Sequence, residues 1–104
     1  MAGAKPMTNS DILTEHRRLA ILQILNADSD YKANSVMLHS TLKLLGQGAA
    51  LSVVEGDIAW LEAQGLLAQQ QLPGCTVCTL RRAGIDAAEG TSKYPGIAKP
   101  LPND

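Results

Sequence analysis

Two short apolar-striped helices joined at a glycine-rich turn, with a pair of strands after them, predict a mainly α chain with a small β-hairpin: a winged helix-turn-helix. The first stripe is Leu38, Leu42 and Leu45, at i, i+4, i+7, and the second is Leu51, Val54, Ile58 and Leu61, at i, i+3, i+7, i+10. Gly46 and Gly48 stand between them, where a helix must stop and the chain must turn. Gly65-Leu66-Leu67 closes the second of these helices and opens the first arm of the hairpin.

A chain of 104 residues fits one domain with one core. It divides into a flexible N-terminal lead over 1–10, a winged-helix domain over 11–90 and a Pro-rich C-terminal tail over 91–104. With 45% hydrophobic residues, 3% aromatic and no Phe, that core must be aliphatic. No apolar run approaches the roughly 18 residues of a membrane span, and the opening residues lack the apolar stretch of a signal peptide. A cytoplasmic protein is expected.

Thr8, Asn9 or Ser10 can cap the first helix, with Asp11 near its positive end. The helix runs to about Asn26. Its second half is apolar on most of its circumference, which implies burial on more than one side. The functional reading is a homodimer interface made by Leu19, Ile21, Leu22, Ile24 and Leu25; the alternative is that the hairpin and the C-terminal segment cover them. Ala27 to Lys32 reads as a polar turn, with too few oxygen ligands for a calcium loop. Asn34 caps a second helix over Ser35 to Leu45. His39 lies beside its apolar stripe and has only His16 as a possible companion, so no metal site is expected.

The third helix, about Ala50 to Gln64, is the one a winged helix places in the major groove. Its outward face should carry Ser52, Glu55, Gly56, Ala59, Glu62 and Ala63, none of them the Arg, Lys, Asn or Gln that usually reads base edges. Glu55 and Asp57 would meet phosphates. Charge by segment says the same: 1–34 is neutral, 35–65 sums to −2 and 66–104 to +1, for a net −1. Trp60, the one Trp, is expected to pack against the hairpin or the first helix.

Leu66 to Gln71 and Cys75 to Leu80 read as the hairpin arms. Pro-Gly between them favours a type II turn and therefore a slightly wider loop. Cys75 and Cys78 form a C-x2-C without a second pair, on an extended strand where positions three apart face opposite ways, so two independent thiols are expected, Cys78 inward. Arg81 to Glu89 reads as a last helix with Ile85 and Ala88 toward the core, and Gly90 ends it. The tail holds three of the five Pro residues and should lie along the body through Tyr94 and Ile97; as a Pro-rich stretch it could also serve a partner domain as a ligand.

Several stretches resemble a known family. Glu15-His16-Arg17-Arg18-Leu19, Ile58-Ala59-Trp60-Leu61-Glu62 with Gly65-Leu66-Leu67, Gly84-Ile85-Asp86-Ala87-Ala88-Glu89-Gly90, and Tyr94-Pro95-Gly96-Ile97-Ala98-Lys99-Pro100 resemble, in order and spacing, the small winged-helix proteins loosely labelled ArsR-like that Mu-like phages and prophages encode. A wider resemblance is to MarR- and ArsR-type regulators, whose wing commonly leads into Leu-Thr-x-x-Gly; here Leu80-Arg81-Arg82-Ala83-Gly84 keeps the Leu and Gly, and Arg81 replaces the capping Thr. The resemblance implies a winged-helix phage protein. ArsR-type metal sensing is not carried over, because this chain lacks the helical Cys or His clusters it needs. In Mu-like phages such proteins tend to belong with late genes for head assembly and DNA packaging.

Two functions follow. The first is a DNA-binding transcriptional regulator on double-stranded DNA, with Arg17, Arg18, Lys43, Ser52, Arg81 and Arg82 as contacts. The second is a protein-interaction module, an accessory factor among phage packaging or head-assembly proteins. No paired carboxylates, nucleophile-base arrangement or phosphate-binding Gly loop suggests an enzyme, and no cofactor is implied.

Overall fold

The computed structural model describes residues 8–101. Among them the elements run α1 (Asn9–Ala27), β1 (Lys32–Asn34), α2 (Ser35–Leu44), α3 (Leu51–Ala63), β2 (Leu67–Leu72), β3 (Cys75–Leu80) and α4 (Arg82–Glu89). The strands form one antiparallel sheet in the order β1-β3-β2. Four helices on a small antiparallel sheet, with a helix pair leading into a hairpin, make a winged-helix-like fold. The flexible lead expected over 1–10 and the end of the tail fall partly outside the described residues.

Thr8 caps α1 in a full capping box: its hydroxyl accepts from the Asp11 amide, and the Asp11 carboxylate accepts from the Thr8 amide. Asn34 caps α2 through the Met37 amide at 2.7 Å. Helices α2, α3 and α4 each end in a Schellman motif. At α3 the Gly65 amide donates to Glu62 and the Leu66 amide to Leu61, with Gly65 at φ +77°. This motif turns the chain sharply from α3 into β2.

β1 is not expected from the sequence, where Lys32 closes the polar turn and Asn34 caps the second helix. Its three residues carry no alternating pattern. They become a strand because β3 lies beside them, with Ala33 opposite Cys78. The polar turn before it is held by Asp28, whose carboxylate accepts from the amides of Asp30 and Lys32. The hairpin corrects a second expectation. Pro73-Gly74 is a two-residue turn between the paired Leu72 and Cys75, not a wider loop, and Gly74 takes the positive φ that a type II turn requires.

The core is aliphatic. Leu38 and Leu42 of α2 and Val54, Ile58 and Leu61 of α3 bury fully between these two helices, α1 and the sheet. Leu45 and Leu51, read as the ends of those stripes, are exposed, because they flank the α2–α3 turn where no element covers them. In α4 the buried residues are Gly84, Ala87 and Ala88, with Ile85 half-buried.

Helix α1 corrects the dimer expectation. Leu19, Ile21, Leu22 and Leu25 lie in the chain's own core, and Ile24 packs half-buried against it. Helices α2, α3 and α4, strand β3 and Ile97 of the tail surround them. The near-continuous apolar circumference is satisfied inside one chain, so these side chains are not presented to a second copy.

Candidate functional site

The residues nominated for DNA contact separate into two groups. Lys43, Ser52, Arg81 and Arg82 are exposed, and among the described residues the three cations form no ion pair. Arg17 and Arg18 are not available: both point inward at Asp57. Arg17 Nε donates to Asp57 Oδ2, and Arg18 Nε donates to Oδ1 at 3.3 Å. Asp57 is 5% exposed. The expectation that it would confront phosphates is therefore wrong. A carboxylate this deeply buried must be paired, and two guanidiniums supply the pairing.

The helical period contained that signal. Asp57 lies three residues after Val54 and four before Leu61, which puts it on the buried stripe of α3. Arg17 and Arg18 stand one turn before Ile21 and Leu22 on the buried stripe of α1. Two interior stripes, one with an acid and one with two bases, meet where α1 crosses α3.

Around this triad the tail is fastened. The Arg18 guanidinium lies 3.9 Å above the centre of the Trp60 ring and donates from Nη1 to the Gly96 carbonyl at 3.0 Å. Gly96, at φ +87°, sits against the Trp60 edge, where a Cβ would come within 2.8 Å of the ring. The Ala98 amide donates to the Glu15 carbonyl at 3.2 Å. Trp60 thus packs against α1 through Arg18 and against the tail, rather than against the hairpin. The stretches Glu15–Leu19, Ile58–Glu62 and Tyr94–Pro100, far apart in the chain, meet at this one place.

The outward face of α3 carries Ser52, Glu55, Gly56, Ala59, Glu62 and Ala63, all exposed. With Asp57 withdrawn, Glu55 and Glu62 are its charges. Glu62 is also a structural anchor: its carboxylate accepts the Gln69 backbone amide at 2.8 Å and the Gln69 side-chain amide at 2.9 Å. These bonds hold its pKa below the ordinary carboxylate value and tie the outer edge of β2 to α3. The wing tip, Leu72-Pro73-Gly74, is exposed and uncharged.

On β3, Cys78 is fully buried and Cys75 half-buried, and both are free thiols. Burial pushes the Cys78 thiol up to about 11, and the negative field of Glu62 adds to the rise. Cys75 should therefore react first with a thiol reagent at neutral pH, and Cys78 only on unfolding; titration of the folded protein with a chromogenic disulfide checks this. Between the thiol's ordinary 9.0 and about 11, the folded chain holds a proton that the unfolded chain releases. This contribution to stability is complete below that window and is lost as pH rises through it.

Among the described residues no three His, Cys, Asp or Glu side chains gather as metal ligands. None of their helices is long and apolar enough to cross a membrane.

No protein-family model matches the chain, and no solved structure matches it significantly. Two phage and bacterial relatives do. An uncharacterized protein of Haemophilus influenzae is 32% identical over 66 residues, 64% of each chain. Protein gp26 of Escherichia phage Mu, itself uncharacterized, is 41% identical over 93 residues, covering 89% of this chain and 96% of gp26. At that identity over nearly the whole of both chains, this protein belongs to the phage Mu gp26 family.

Proposed function

We propose that this phage protein is a protein-interaction module, an accessory factor in head assembly or DNA packaging, which uses its winged-helix-like frame as a docking platform. The observation that carries this reading is the outward face of α3, where small residues and two glutamates stand in the place of base-reading side chains. Groove reading needs donors aimed at base edges, and even non-specific affinity needs several cations on phosphates. Two of the five nominated cations, Arg17 and Arg18, are held inside by Asp57, and the wing tip offers none. The reading assigns the protein no catalytic activity and no cofactor.

One observation favours the second reading, a transcriptional regulator on double-stranded DNA: Lys43, Arg81 and Arg82 remain exposed and without ion pairs among the described residues. Binding to a random-sequence duplex between about 50 and 200 mM salt separates the two. A docking platform gives no retained complex at the low-salt end. A steep negative salt slope that flattens in the Arg81→Ala/Arg82→Ala variant would transfer the case to the regulator.

A further inference from the structure

The exposed side of α3 is ordered across its width. Ser52, Gly56, Ala59 and Ala63 recur at i, i+4, i+7, i+11 and form its floor. Glu55 and Glu62, seven apart, border it on one side; Val53, 43% exposed, and the half-buried Trp60, also seven apart, border it on the other. Leu51, 39% exposed, stands at its N-terminal end on the glutamate side, one turn before Glu55. The face thus has a low floor, an acidic wall and an apolar wall.

Gly56 has no explanation inside the chain. It sits mid-helix without a positive φ, and an added Cβ there would meet nothing within 4 Å. Glycine at such a place weakens a helix relative to alanine, because the backbone loses more freedom on folding. Its advantage is that another backbone can come close.

The charge decides what comes. A second copy would set one acidic wall in the field of another, and a nucleic acid would meet Glu55 and Glu62 with its phosphates. We infer that α3 receives an α-helix of a partner protein, apolar along one side and carrying Lys or Arg along the other, laid over Gly56. This rests on the protein-interaction reading and names the partner's chemistry. The partner's apolar side covers Val53 and the exposed part of Trp60, and its cations meet Glu55, which forms no ion pair among the described residues, and Glu62, which stays ionised.

The test uses synthetic helical peptides as probes: one with Leu and Lys on opposite sides, one of the same composition with the order scrambled, and one with Glu in place of Lys. Each is titrated into the full chain while backbone-amide NMR shifts and affinity are read. The patterned Leu/Lys peptide should bind and shift amides along α3. Its affinity should fall about tenfold or more in Glu55→Lys, where like charges meet, and in Gly56→Leu, where the floor is filled; circular dichroism checks that both variants stay folded. Binding no better than that of the scrambled or Glu peptide, shifts outside α3, or affinity unmoved by both folded variants would overturn the helix and leave the interaction reading standing. Self-association of the free chain through α3 would replace the partner with a second copy. Shifts along α3 on adding random duplex DNA would overturn both.

Discussion

Asp57→Ala should lower the stability of the folded chain by about 3–5 kcal/mol, the magnitude typical when one partner of a buried ion pair is removed. Two guanidiniums, with side chains 12% and 18% exposed, would lose their counter-charge. Arg17 would keep only its bond to the Thr14 hydroxyl, and Arg18 its bond to Gly96 and its contact with Trp60. Urea unfolding followed by the fluorescence of Trp60 measures the loss, and the fluorophore itself reports on the site because Arg18 lies over its ring. Asp57→Asn should be destabilised as well, since the amide keeps the volume but not the charge. If Asp57→Ala were within about 0.5 kcal/mol of wild type, the usual range for surface substitutions, the triad would not hold α1 to α3 as described.

Gly84→Ala should cost about 3 kcal/mol, the upper part of the range for overpacking. The Cβ would be driven into the Leu66 carbonyl oxygen and within 2.5 Å of Leu80 Cδ1. The Leu66 carbonyl already accepts the Arg81 amide at 3.0 Å, so it is fixed by the chain on both sides and cannot easily retreat. To admit the methyl, α4 must move away from the start of β2, taking Ala87 and Ala88 out of the core. Thermal unfolding shows the loss as a lowered midpoint. A midpoint equal to wild type would mean that α4 packs less closely than the geometry states.

These two sites show where the sequence was legible. The helix pair and its glycine stops were, because periodicity and capping are local: Leu38, Leu42, Val54, Ile58 and Leu61 bury as their spacing implies. The place of Asp57 was also written in that spacing, but reading it as an outward acid followed its charge rather than its position. β1 was not legible, since its three residues owe their conformation to β3, more than forty positions away in the chain. Nor was the coverage of α1. A helix apolar nearly all round signals burial, but whether a second copy or α4 and the tail supplies it depends on distant contacts. The fastening of the tail was half legible: Ile97 announced an apolar anchor, whereas the bond from Arg18 to the Gly96 carbonyl has no sequence signature. What the exposed face of α3 meets is a property of another molecule, and only its shape and charge are encoded here.

The most direct measurement of the central claim, that α3 is a docking face and not a reading head, is a backbone-amide NMR titration of the full chain with random-sequence duplex at about 50 mM salt, where phosphate contacts are strong. The account predicts that the amides of Ser52, Gly56, Ala59 and Ala63 do not move. Shifts concentrated on those four residues, fading as salt rises, would contradict it and make this winged helix a DNA-binding protein after all.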